Sequence, residues 1–303
     1  MSTIKVTVPA TTANLGPGFD CIGLALSLYN QFHFSPLTKN GNTFQISASG
    51  PEADRVSLDA DNLVYQAFGK LYTHIGQSVP PVSIDIHLGI PQARGLGSSA
   101  TAIVGGLVGA NQMAGQPLNQ EQLLKLAIAM EGHPDNVVPA FLGGCRLAAS
   151  AQDDWTICEI PWHPDIVPVV AIPDFELSTA AARQVLLPTY SRADAIFNTA
   201  HLGLLVRALE TGNRDWLKVA MQDRIHQPYR QSLIKGYAEV RQAAIEAGAY
   251  EMVISGAGPT LLAVTNQTDA LAVAEAMGKV WQSQDVKAMV QVLPVDSHGV
   301  QLA

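Results

Sequence analysis

Between Pro81 and Pro91 the chain alternates, with Val82, Ile84, Ile86 and Leu88 on one side and Ser83, Asp85 and His87 on the other. That is the period-two pattern of a strand with one buried face. The loop PQARGLGSSA (residues 91–100) follows directly, and beyond it SATAIVGGLVGANQMAG has almost no charge and many small residues. Such a composition predicts a helix buried on most sides, beginning at Ser98 or Ser99 and ended by Gly115 and Pro117. Asn119 and Gln122 have the spacing of a capping box. They open a helix through QLLKLAIAM whose apolar side is Leu123, Leu124, Leu126, Ala127 and Met130, and which runs out at EGHPDN. Upstream, IKVTV reads as a strand, whereas PATTANLGPGFDCIGLAL, with Asn14, Gly16, Gly18 and Asp20, reads as too polar for a strand interior and too rich in glycine for a helix.

After the proline-marked stretch EIPWHPDIVPVVAIP the pattern changes. Helical periodicity covers about Ala193 to Glu210, Arg214 to Gln222 and Ser232 to Ala247, the last stopped by Gly248. A strand YEMVI, a turn SGAGP, a strand TLLAVT, a helix over DALAVAEAMGKVWQ and a final strand KAMVQVLPV follow. This order predicts an α+β unit, a small antiparallel sheet covered by helices, with a domain boundary between Pro161 and Pro173.

Composition narrows the function. The chain has 303 residues, 48% hydrophobic and 15% charged, which is enough for one large or two ordinary domains. A net charge of −8 leaves no broad basic field for a nucleic acid or an anionic membrane, so a small molecule is the expected partner. The N-terminus lacks an apolar signal core and no run is long enough to span a bilayer, so a cytoplasmic location is expected. The three cysteines, Cys21, Cys145 and Cys158, are widely spaced and form no CxxC pair, and they read as buried thiols rather than a disulfide or zinc framework.

A glycine-rich loop running into a helix N-terminus points unpaired N–H groups and the positive end of the helix dipole at whatever lies before it, and a phosphate fits. Gly95 and Gly97 allow close approach, and Ser98 and Ser99 add hydroxyls. The loop is neither a Walker A sequence nor a GxGxxG fingerprint, which disfavours a hydride-transfer enzyme. By itself it remains compatible with a serine-capped turn.

Two further stretches change that balance. Pro-Ala-x-x-Ala-Asn-Leu-Gly-Pro-Gly-Phe-Asp, then Pro-x-x-x-Gly-Leu-Gly-Ser-Ser-Ala, then Ser-Gly-Ala-Gly-Pro, in that order, resemble the three motifs of the GHMP small-molecule kinases over nearly the whole chain. Within them, EGHPDN is similar to the branch acting on L-homoserine in threonine biosynthesis. The resemblance implies a two-domain fold: residues 1–165 as an ATP-binding domain with a left-handed βαβ unit, and residues 166–303 as a ferredoxin-like domain, with the active site between them. It implies ATP and Mg2+, with L-homoserine as substrate, and leaves a homodimer open.

The same resemblance implies residue roles. Pro91, Gln92, Ala93, Arg94, Gly95, Leu96, Gly97, Ser98, Ser99 and Ala100 would hold ATP, with Asn62 at the adenine; Ser98 and Glu131 would hold magnesium. Asn14, Asp20, His133, Asp135, Arg183 and Arg230 would bind the amino-acid substrate, with Asn136 and Thr179 at the reacting centre. Arginine suits bidentate carboxylate binding better than lysine. Read without the family, Glu131 is compatible with a solvated helix end, Asp135 with a turn cap, His133 with a structural hydrogen bond, and each arginine with a surface ion pair. No residue stands out as a general base. The alternatives are another GHMP kinase, of mevalonate or sugar type, and a nonenzymatic metabolite sensor on the same fold.

Overall fold

The computed structural model describes residues 3–37, 43–152 and 154–303. β1 (Ile4–Asn14) and β2 (Gly18–Pro36) form a long antiparallel ribbon. β3 (Phe44–Ser49), α1 (Leu63–His74) and β4 (Val82–His87) form a parallel crossover unit, with β4 between β2 and β3. Three helices, α2 (Ser98–Met113), α3 (Gln120–Glu131) and α4 (Pro134–Leu142), join α1 in one core with Val82, Ile84 and Ile86, the apolar side foreseen for that strand. α2 sits tightly on the sheet: a Cβ at Gly105 or Gly109 would lie 2.3 or 2.2 Å from the rings of Phe32 and Phe34. Its small residues are therefore what allow those two phenylalanines to fill the core. A hairpin of β5 (Cys145–Ala151) and β6 (Asp154–Ile160) extends the sheet from β2.

The chain then enters a second, four-stranded sheet. β7 (Val167–Pro173) is followed by α5 (Thr179–Gln184), α6 (Arg192–Thr211), α7 (Arg214–Ala220), α8 (Gln227–Arg230) and α9 (Tyr237–Glu246). β8 (Glu251–Ile254), β9 (Leu261–Thr265), α10 (Ala270–Ser283) and β10 (Ala288–Val292) complete it. The order β10-β7-β9-β8 is antiparallel throughout, and α9 and α10 contribute to its core, as in a ferredoxin-like domain. Among the described residues no helix is long and apolar enough to cross a membrane.

Five expectations need correction. Residues 11–14 lie within β1 despite their polarity, because Thr11, Thr12 and Asn14 are buried against polar partners from distant parts of the chain. The helix expected from Ser232 begins at Tyr237, since Gly236 at φ 72° interrupts it. His133 to Asn136 open helix α4 rather than a turn, with Pro134 in the first turn, where a missing N–H costs nothing. The second domain does not run to the C-terminus: β11 (Gln301–Leu302) pairs with β1, and Tyr29 donates to Asp296 Oδ2 at 2.9 Å, so the tail closes the first sheet's edge. Finally, Cys158 is exposed on the β5–β6 hairpin, whereas Cys145 is buried and Cys21 half-buried.

Candidate active site

The three glycine stretches meet where the two domains join. Thr11 N–H donates to Leu96 O (3.1 Å), Gly256 N–H to Ala13 O (3.1 Å) and Thr260 N–H to Arg94 O (3.1 Å). Ser255 Oγ lies 2.6 Å from Gly95 O and 2.8 Å from Thr12 Oγ1, and Asn14 Nδ2 donates to Gly256 O at 3.0 Å. Left-handed backbone outside glycine clusters here, at Asn14 (φ 76°), Leu15 (φ 46°), Asp20 (φ 56°) and Ala93 (φ 52°). Each costs on the order of 1 kcal/mol, and such strain collects at functional sites.

Gly97 caps α2 at φ 67° without any side-chain cap, so the first N–H groups of a helix with no charge in its end turns face the cleft. A Cβ there would stand 2.0 Å from Thr11 Oγ1. Gly97→Ala is therefore expected to cost roughly 1–3 kcal/mol of stability and to weaken triphosphate binding. Denaturant unfolding and nucleotide titration check this; an alanine variant with wild-type values for both would show that the loop is not held against β1.

Opposite the loop, α3 ends on Glu131, whose Oε1 accepts from Ser99 Oγ at 2.6 Å. Ser98 lines the same cleft, but the hydroxyl that meets Glu131 is that of Ser99. Burial pushes the Glu131 carboxyl up from its ordinary value, against the opposing pull of Ser99 and His133. A buried carboxylate of this kind gains from a cation. Next along the chain, Asp135 Oδ1 lies 2.5 Å from His133 Nδ1 and accepts from Asn136 Nδ2 at 3.1 Å, while Asn136 Oδ1 accepts from Thr11 Oγ1 at 2.8 Å. This hydrogen bond and ion pair with Asp135 raises the His133 imidazole. Asp135, 4% exposed, thus orients its neighbours and caps no turn.

The cationic wall comes from the second domain. Ser178 caps α5, accepting from Ala181 N–H at 3.1 Å, which sets Thr179 and Arg183 along the cleft. Arg183 forms a two-point pair with Asp20 (3.1 and 3.0 Å), so these two residues meet each other across the domain junction. Arg230 is 2% exposed, with Nε donating to Ala182 O (3.1 Å) and Nη1 to Gly256 O (3.0 Å). Among the described residues its Nη2 has no hydrogen-bond partner. Both guanidinium groups lie over the Phe19 ring, 5.7 and 5.1 Å from its centroid for Arg183 and Arg230 respectively.

Sequence reasoning missed Phe19 and His226. His226 is fully buried, stacks on Phe19 (5.1 Å), places Nε2 2.8 Å from Gly16 O and Nδ1 3.4 Å from Arg230 Nη1. The signal was available in HQPYR, where His226 and Arg230 are four apart and so share one helix face. Burial holds the His226 imidazole below its ordinary value, so it is neutral and accepts from Arg230. Its contribution to stability is complete above about pH 6.5 and is lost as pH falls below that toward the lowered folded value. Wild type should lose stability as pH falls below about 6.5, with up to ~1.4 kcal/mol per pH unit from this one proton, and His226→Gln should be flatter. Equal acid slopes in chemical unfolding would remove His226 as the source.

One cleft of about 470 Å3 is lined by almost every residue singled out in the sequence: Asn14, Asp20, Asn62, Ser98, Ser99, Glu131, His133, Asp135, Asn136, Thr179, Arg183 and Arg230 among them. Four of the expected ATP ligands are placed differently. Leu96 and Ala100 are core side chains that offer only backbone, and Pro91 lies off the cleft lining. The donors of Arg94 are taken by protein groups, so its side chain is not free for a phosphate. Asn62 lines the cleft while its Oδ1 caps α1, accepting from Val64 and Tyr65 N–H, and its Nδ2 donates to Ser57 O. Burial, with Asp135 and Asp20 nearby, pushes the Cys21 thiol up to about 11, consistent with an unreactive packing role. Among the described residues no group of three or more His, Cys, Asp or Glu could hold a metal, so any ion here needs ligands from a bound molecule or water.

Residues 62–144 match the GHMP kinases N terminal domain and residues 205–283 the GHMP kinases C terminal domain. The chain is 63% identical to the homoserine kinase of Trichodesmium erythraeum over 99% of this chain and 98% of that protein. It is 64% identical to the homoserine kinase of Nostoc punctiforme over the same shares. Among solved structures, homoserine kinase from Cytophaga hutchinsonii superposes with a TM-score of 0.91 at 29% identity, covering 100% of this chain and 98% of that one. Mevalonate kinase of L. major, at 16% identity and TM-score 0.70 over 97% of this chain and 96% of that one, shares the fold. The chain belongs to the GHMP kinases, and within them to the homoserine kinase family.

Proposed function

We propose that the protein transfers the γ-phosphoryl group of ATP to the side-chain hydroxyl of L-homoserine, giving O-phospho-L-homoserine and ADP. The observation that carries this reading is the division of one cleft into an uncapped helix N-terminus with a buried acid on one side and an Asp20–Arg183–Arg230 wall on the other. Anionic phosphates suit the first half. The second half suits a small zwitterion: its carboxylate takes Arg183 and the free Nη2 of Arg230, its ammonium takes Asp20. Because both partners of the Asp20–Arg183 pair receive a replacement charge, separating them costs little.

Magnesium fits the donor set, since Glu131 and the adjacent hydroxyls are hard oxygen ligands and Mg2+ keeps water and phosphate oxygens for the rest. Bound there it would neutralise charge developing on the phosphoryl oxygens. Ser99 is the hydroxyl the geometry favours, and Ser98, the residue expected from the family pattern, stands beside it. His133 and Asn136, tied together through Asp135, and Thr179 at the start of α5 bound the region between the two halves, where the acceptor hydroxyl would be held in line. No side chain is assigned as base; with a loose transition state, positioning and electrostatics suffice.

An ADP-release assay over a panel of alcohols tests the reading. Homoserine should exceed mevalonate and sugars by at least roughly 100-fold in kcat/KM, because mevalonate offers no ammonium to Asp20. A faster rate with mevalonate would contradict it, and binding of both ligands without any turnover would favour a sensor.

A further inference from the structure

Arg94 is a cation within the glycine loop, yet its side chain is only 5% exposed and its donors go to protein groups. Nη1 donates to Gln92 O (2.8 Å), Nη2 to Glu52 Oε1 (3.2 Å), and Nε and Nη2 to Pro173 O (3.0 Å) and Asp174 O (2.8 Å). Glu52 also holds the loop itself, since its Oε2 accepts from Gln92 N–H at 2.8 Å. Glu52 and Ala93 both have left-handed backbone, at φ 60° and φ 52°, so the surrounding contacts hold them in place against strain. Glu176 joins the cluster through Arg94 (3.3 Å) and Arg55, and Leu177 N–H donates to Ala93 O at 3.2 Å. The next residue, Ser178, caps α5, which carries Thr179 and Arg183.

The phosphate loop and the segment leading into the substrate-bearing helix are therefore both fastened to Arg94, which Glu52 holds in turn together with Gln92 N–H. We propose that Arg94 and Glu52 are positioning residues that couple the two halves of the cleft: a triphosphate that orders residues 92–97 also fixes, through Arg94, the 173–178 segment from which α5 presents Thr179 and Arg183. The coupling rests on the reading of Arg183 as a ligand of the substrate carboxylate. It is reciprocal, so bound homoserine must tighten nucleotide by the same factor. A planar fork is required to serve Pro173 O, Asp174 O and Glu52 together, and lysine, which keeps the charge, lacks it.

Calorimetric titration of homoserine into the protein, with and without a saturating nonhydrolysable ATP analogue and magnesium, tests this. Wild type should bind homoserine about tenfold more tightly with the analogue present. Arg94→Lys and Glu52→Gln should each bring that factor toward one, while the Kd of the analogue alone stays within about threefold of wild type. A purely structural role would move thermal stability or both separate affinities and leave the factor intact. A folded variant of either kind that retains the wild-type factor overturns the proposal, as does loss confined to analogue affinity, which would put Arg94 on the nucleotide. Wild type binding homoserine without regard to nucleotide also overturns the coupling; wild type that does not bind homoserine overturns the substrate reading beneath it.

Discussion

Glu131→Gln is expected to lower turnover by roughly two to three orders of magnitude while changing nucleotide affinity by less than about tenfold. Glutamine preserves the size of the side chain and can still accept from Ser99, so the end of α3 and its glycine stop at Gly132 are undisturbed. What disappears is a negative charge that burial already disfavours and that a cation between Glu131 and the phosphates would relieve. The loss falls mainly on kcat because charge on the phosphoryl oxygens and leaving group peaks in the transition state. Steady-state rates over a magnesium titration, with nucleotide binding measured separately, check this. Unchanged turnover at saturating magnesium would take Glu131 out of the site.

The other large effect concerns the cationic wall. Arg230→Ala should cost roughly 2–5 kcal/mol in kcat/KM for homoserine, because the substrate carboxylate would enter a desolvated site without its charge-assisted partner. Arg230 also holds Ala182 O and Gly256 O, so part of its loss reflects a loosened wall. Arg183, exposed and among the described residues ion-paired with Asp20 alone, separates the two contributions when it is replaced by alanine. ATP affinity should hardly change in either. Homoserinol, which keeps the amine and the acceptor hydroxyl but has no carboxylate, should be a poor substrate for wild type, and both variants should discriminate less between it and homoserine. Wild-type kcat/KM in both variants, or a loss confined to ATP affinity, would assign the arginines to the fold or the nucleotide pocket.

The parts of the fold and of the candidate site legible in the sequence are those set by local contacts. The glycine loop, its helix, the capping box at Asn119 and the acid at the end of α3 each depend on neighbours within a few residues. The parts that were misread depend on distant partners. Thr11, Thr12 and Asn14 look out of place in a strand until Asn136, Ser255 and Gly256 arrive to satisfy them. Arg94 falls among the expected ATP-binding residues because Pro173 O and Asp174 O, the acceptors that occupy its side chain, lie in another domain. Adjacent serines cannot be ranked as partners of Glu131 without the helix phase that sets Ser99 against it. The C-terminal strand is only two residues long and is specified by the open edge of β1 rather than by its own pattern. Burial of Arg230 by His226 and Phe19 likewise follows from the closure of two domains, although the spacing of His226 and Arg230 was in view.

The most direct measurement is phosphorus and proton NMR of a reaction containing the protein, magnesium, ATP and L-homoserine. One equivalent of ADP should appear for each equivalent of a new phosphate monoester coupled to the side-chain methylene of homoserine, with the amine and carboxylate unmodified. ADP appearing with inorganic phosphate alone, or phosphate carried on the carboxylate or amine, would contradict it.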